Sequence, residues 1–149
     1  MSKVLTIGEA MGLLIAEEMG PLEEVEHFSR HVCGAELNYA VGMARLGNDV
    51  SYISKVGVDP FGKCICNFLK ANDIHDDYVW TDDDHMTGFQ MKEKVLEGDP
   101  TVANIRKHTA FSHFRPADLR RPPARHGDSP GPVGIVPGND LYVDDAGSR

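Results

Sequence analysis

The chain has 149 residues, 41% of them hydrophobic and 26% charged. A chain of this size suits one globular domain that buries about two thirds of its unfolded surface. Fifteen Lys and Arg against 23 Asp and Glu leave a net charge of −8, which argues against a nucleic-acid partner, because phosphate recognition needs clustered cations.

Val4 to Ile7 is a short apolar run ending at Gly8 and predicts a buried strand. Lys3 is the lone charge before it, which does not make a signal peptide, and no apolar run is long enough to span a bilayer. No membrane partner is expected, and the expected compartment is the cytoplasm. Leu13 to Ala16 predicts a second strand, closed by Gly20-Pro21, and Val25 to Val32 an exposed one. Ala35 to Leu46 carries Leu37, Val41 and Ala44 at helical spacing and stops at Gly47, a favoured C-terminal glycine. Val50 to Val56 reads as a strand. Asp59 is placed to cap a following helix with Pro60 at its first position, running to about Ala71.

Tyr78-Val79-Trp80 predicts a short strand before the acidic turn Asp82-Asp83-Asp84. Thr87 to Leu96 and Val102 to Ala110 are strand-like runs joined by the turn Glu97-Gly98-Asp99-Pro100. Strand and helix alternate, so the expected class is α/β with a parallel core sheet. The segments Leu13–Val32 and Thr87–Ala110 stand outside that alternation.

Cys33, Cys64 and Cys66 are odd in number, which fits a reducing compartment rather than a disulfide framework. Cys64 and Cys66 have the wrong spacing for a zinc pair. Cys64 is expected on the apolar face of its helix with Phe61, Ile65, Phe68 and Leu69. The histidines, including His27, His31, His108 and His113, show no metal-ligand spacing. A dinucleotide glycine fingerprint and a phosphate loop ending in Lys-Ser or Lys-Thr are both absent from the sequence.

Between Cys33 and Gly62 glycine stands at every junction, and Asn38 is set into an otherwise apolar helix start. A glycine-rich lip before a helix N-terminus offers unpaired backbone N–H groups to a polar ligand. The Asn38 amide is both donor and acceptor and can hold a hydroxyl from either side, or it can bond its own backbone. Glu9 follows the first strand, at the carboxyl end where open α/β sheets place ligands; it can equally be a solvated loop acid.

Gly34-Ala35-x-x-Asn38, Gly42, Gly47, Val56-Gly57 and Asp59-x-x-Gly62 resemble the N-terminal signature of PfkB, ribokinase-like, sugar kinases. Ile7-Gly8-Glu9-Ala10, Thr87-Gly88-Phe89, Glu97-Gly98-Asp99-Pro100-Thr101-Val102, and Arg106-Lys107 with Ser112 are similar to one branch, the 2-keto-3-deoxygluconate kinases. The resemblance covers residues 1–119. It implies a ribokinase-like parallel core sheet with a β-sheet lid that also makes a homodimer contact. It implies substrate contacts from Gly34, Asn38 and Arg106; Gln90 stands where many members have a tyrosine and could still reach a hydroxyl, and Glu9 is a further substrate-contact candidate from its place after the first strand. Arg106 would meet the carboxylate of a sugar acid, for which a planar guanidinium is suited; taken alone it would be a solvated charge. Gln90, Asn104 and His108-Thr109-Ala110 depart from the family pattern and bear on which sugar is used.

The complete family enzyme uses ATP and Mg²⁺, and its catalytic base is an aspartate in a C-terminal Gly-Ala-Gly-Asp. These 149 residues do not contain that string. They are therefore expected to form a truncated part of the fold, inactive alone, with no catalytic residue, metal site or well-bound nucleotide. A fructokinase or ribokinase-like kinase, and a non-catalytic sugar-binding or dimerisation module, are the alternatives. From Arg120 onward Pro122, Pro123, Pro130, Pro132 and Pro137 fall among glycines without apolar periodicity. Residues 120–149 are expected to be a disordered tail, either a native linker or the product of a coding frame that slipped near Leu119.

Overall fold

A computed structural model describes residues 2–120; except for Arg120, the tail expected at 120–149 lies outside them. The chain forms β1 (Lys3–Ile7), β2 (Met11–Met19), β3 (Phe28–Cys33), α1 (Ala35–Arg45), β4 (Asp49–Gly57), α2 (Pro60–Ala71), β5 (Ile74–Asp82), β6 (Phe89–Lys94) and β7 (Val102–Ile105). A 3-10 turn at Phe111–His113 and the short α3 (Pro116–Leu119) follow.

The core sheet has strand order β1-β4-β5 and is parallel throughout, with Val50 between Val4 and Ile74. The helical crossovers that parallel strands require are α1 and α2. Their apolar faces pack Leu37, Ala40, Val41, Ile65 and Leu69 against Val50, Tyr52 and Val56 of β4. Gly47, at φ +80, ends α1 as expected. The Asp59 carboxylate caps α2 by accepting from the Gly62 N–H at 2.8 Å, with Pro60 at the first position. One expectation in α2 holds only in part, because Cys64 sits beside Phe68 on a cavity wall rather than in the core. Both cysteines are half-buried, but Cys66 packs against the buried cluster while Cys64 lies on another side of the helix. A step of two residues turns a helix by about 200°, so the two thiols cannot share a face.

The two segments outside the alternation form a second sheet, ordered β3-β2-β6-β7. β2 pairs antiparallel with β3 and parallel with β6, which pairs antiparallel with β7. Leu13 thus lies between His31 and Gln90, and Gln90 opposite Asn104. This sheet roofs the core. Phe61 of α2 stacks on Phe89 of β6 with centroids 5.3 Å apart, close over Gly12.

Three of the four roof strands are shorter than their sequence runs, whereas β2 is longer, at Met11–Met19 rather than Leu13–Ala16. β3 begins at Phe28 rather than Val25, β6 covers Phe89–Lys94, and β7 stops at Ile105 rather than Ala110. After Ile105 the backbone turns, with His108 in the left-handed region at φ 56. The turn brings Ala110 back to the core, where its N–H donates to the Met86 carbonyl at 2.8 Å. Arg106 therefore sits just beyond the strand, not on it.

Candidate functional site

β1 ends on Gly8, which is held from both sides. Its N–H donates to the Ile53 carbonyl at 3.1 Å, and its carbonyl accepts from the Ser54 hydroxyl at 2.8 Å. The next residue, Glu9, is thereby fixed between the two sheets and is only 8% exposed. Its Oε2 accepts from Arg106 Nε at 2.8 Å and from Arg106 Nη2 at 2.7 Å. Its Oε1 accepts from the hydroxyl of buried Thr109 at 2.8 Å. A buried carboxylate with three charge-assisted donors is well compensated.

Two glycines make room for this arrangement. A Cβ at Gly88 would lie 2.7 Å from Glu9 Oε1, and one at Gly34 would lie 2.8 Å from the Glu9 carbonyl oxygen. Gly34 also has φ +147, which side chains rarely adopt. The Cys33 thiol, on the same corner, donates to Gln90 Oε1 at 3.6 Å. Burial pushes that thiol up to about 11, with Arg106 pulling it down and Glu9 pushing it up. It is a neutral donor and not a nucleophile.

Of the residues expected at the site, Glu9, Gly34, Gln90 and Arg106 thus gather around one corner where roof and core meet. Asn38 is one turn into α1 and lines a cavity of about 160 Å³ with Arg30, Arg45 and Phe68, which Glu9, Gln90 and Arg106 do not line. Sequence reasoning missed Thr109 and Cys33. Thr109 stands in a tripeptide that departs from the family pattern, and nothing local marks its contact with a residue 100 positions away.

The Val56-Gly57 and Asp59-x-x-Gly62 motifs have a structural reason here. Asp59 Oδ2 accepts from the Thr87 N–H at 2.7 Å, and the Thr87 hydroxyl accepts from the Gly57 N–H at 2.9 Å. The entrance of the roof is knotted to the start of α2. Nearby, Lys55 Nζ lies 3.1 Å from Asp82 Oδ2, and Asp82 Oδ1 accepts from the N–H groups of Asp84 and His85. Burial alone would raise the Asp82 carboxyl, but the Asp84 N–H, Lys55 and His85 outweigh it and hold it far below its usual value. A depressed carboxyl adds stability that is present above the ordinary value near 4 and is lost as pH falls through the folded value. Asp82→Asn is therefore expected to lower stability at pH 7 and to flatten its loss below about pH 4. Urea midpoints at pH 7 and pH 3 measure this, and equal acid sensitivity of wild type and variant contradicts it.

Among the described residues no group of His, Cys, Asp and Glu is arranged to hold a metal ion, and no helix is long and apolar enough to cross a membrane.

A parallel α/β core and the second sheet that roofs it meet at a buried carboxylate that holds a half-exposed guanidinium, and solved structures with this fold include sugar kinases. Residues 1–122 match the family described as pfkB family carbohydrate kinase. The chain is 41% identical over 118 residues to a 2-dehydro-3-deoxygluconokinase of Bacillus subtilis (strain 168), covering 78% of this chain and 36% of that protein. Its fold matches a PfkB protein from Polaromonas sp. JS666 with a TM-score of 0.76 at 43% identity, covering 79% of this chain and 40% of that one. An uncharacterized sugar kinase from Pyrococcus horikoshii in complex with ATP matches with a TM-score of 0.71 at 34% identity, covering 77% and 37%. The chain belongs to the pfkB family of carbohydrate kinases and has a ribokinase-like fold. It spans between 27% and 37% of the length of curated relatives that it matches.

Proposed function

We propose that these residues contribute the lid and the acid-recognising side of the sugar site of a kinase. The whole enzyme would transfer the γ-phosphoryl group of ATP, with Mg²⁺, to a hydroxyl of 2-keto-3-deoxygluconate or a related sugar acid. One observation carries the acid preference. Glu9 engages Arg106 on its Nε–Nη2 edge, and the Nη1–Nη2 edge of this half-exposed guanidinium stays open to a second carboxylate. A guanidinium can present two such edges, so Glu9 acts as a positioning residue and Arg106 as the ligand contact. Gly34 would offer backbone at the lip, and Gln90 and Asn38 amide groups for hydroxyls.

Replacement Arg106→Ala, in a protein that includes the C-terminal part of the family enzyme, tests this. Apparent affinity for the sugar acid is expected to fall roughly tenfold to a hundredfold, the worth of a charge-assisted bond, with ATP binding little changed. Unchanged use of the acid would instead favour a neutral sugar such as fructose or ribose.

The 149-residue polypeptide by itself is expected to phosphorylate 2-keto-3-deoxygluconate no faster than a no-enzyme control, because its sequence has no Gly-Ala-Gly-Asp string to supply the base. Turnover at kinase rates, on the order of 1–100 per second, would overturn that expectation. The lid carries exposed Met19, Leu96 and Val102, which support a homodimer contact through its strands, in a cytoplasmic protein.

A further inference from the structure

The cavity on the other side of β3 has a chemistry that the sugar-acid reading does not use. Arg30 and His31 come from β3, Asn38, Val41 and Arg45 from α1, and Cys64 and Phe68 from α2, around about 160 Å³. Positions 38, 41 and 45 fall on one helix face, as do 64 and 68. Its lining includes no carboxylate. Arg30 and Arg45 form no ion pair with any described residue. Each alone has an ordinary explanation: Arg45 complements the C-terminal end of the α1 dipole, and Arg30 guards an edge strand. Neither explains why two exposed arginines from separate elements, neither of them in an ion pair, line one cavity without a carboxylate in a chain of net charge −8.

We infer that this cavity binds a small doubly charged oxyanion, a phosphate monoester or a dicarboxylate, bridged between Arg30 and Arg45. His31 and Asn38 supply further polar groups along the wall. Val41 and Phe68 supply an apolar surface for the body of the ligand. The bridged elements meet at the Cys33–Gly34 corner, so the anion ties the roof to the helix that carries the lip of the sugar site. Asn38 is the one residue shared with the site proposed above.

Cys64 lines the cavity, whereas Cys66 packs on the core and serves as an internal control. The experiment alkylates the 149-residue chain with iodoacetamide and follows each thiol by mass spectrometry. Inorganic phosphate or succinate is titrated against chloride at matched ionic strength. One or both dianions should slow Cys64 labelling saturably and leave Cys66 unaffected; which one does so distinguishes phosphate esters from dicarboxylates. Arg30→Gln and Arg45→Gln should each raise the half-protecting concentration by about tenfold, as loss of a charge-assisted bond does. Arg106→Gln should not change it. Failure of both dianions, equal slowing of Cys66, or unchanged protection in the Arg30→Gln/Arg45→Gln double variant overturns the inference. Loss of Cys64 protection in Arg106→Gln, with Cys66 labelling unchanged to show that the fold is intact, also overturns it, by making this cavity part of the sugar-acid site. The kinase reading stands or falls separately, on turnover and on Arg106→Ala in the longer protein.

Discussion

Replacing Glu9 with glutamine is expected to destabilise the domain by about 2–3 kcal/mol, a large share of the 5–15 kcal/mol typical of a whole domain. The amide keeps the shape but removes the charge that two Arg106 nitrogens and the Thr109 hydroxyl converge on. Breaking a fully buried pair typically costs ~3–5 kcal/mol. Arg106 is 52% exposed and can recover part of its hydration, so the expected cost lies below that range. Urea unfolding should show a lower midpoint with an unchanged slope. In a double-mutant cycle, Glu9→Gln and Arg106→Ala should couple by more than about 0.5 kcal/mol. A variant as stable as wild type, or additive effects in the cycle, would remove Glu9 from its role as the anchor of Arg106.

The second large effect is expected at Gly34. Gly34→Ala should cost about 2–4 kcal/mol, because two penalties act at the same atom. Its Cβ would meet the backbone oxygen of Glu9 at 2.8 Å, and φ is +147. A backbone oxygen cannot rotate aside as a side-chain tip can, so either α1 or Glu9 must move. Gly42, eight residues on, provides the contrast. A Cβ there meets nothing within 4 Å, and Gly42→Ala in mid-helix should stabilise by roughly 0.5–1 kcal/mol. Equal effects at the two glycines would show that the crowding at Gly34 is not what holds it to glycine.

The contrast between these glycines shows how the sequence can be read and where that reading stops. Both belong to the same family signature, and only the packing of Glu9 against the helix start tells them apart. Asp59-Pro60 and Gly47 were legible because caps and helix-ending glycines act within a few residues of chain. The apolar runs at Val4–Ile7 and Val50–Val56, and the turn at Glu97–Pro100, were legible for the same reason. The end of β7 was not, because the turn at His108 is imposed by the return of Ala110 to the core. Nor was the packing of Cys66 rather than Cys64 against the core cluster, since both residues fit a helix and only the direction of the sheet selects the inner face.

By itself, then, the sequence determined the α/β class, the bounds of β1, α1, β4 and α2 to within a residue, the family resemblance and the residue types suited to a sugar acid. Those follow from local backbone preference, from hydrophobic period, and from motifs that lie together in the chain. The tertiary structure decided which of those residues meet. It joined Glu9 to Arg106 and Thr109 across about a hundred positions, set Gln90 beside Cys33, and put Asn38 on the wall of a cavity with Arg30 and Arg45. Such pairings depend on the parallel registers of β1 with β4 and of β2 with β6. Those registers are settled by burial of whole sheet faces, and the pattern of one strand does not reveal which distant strand it will meet.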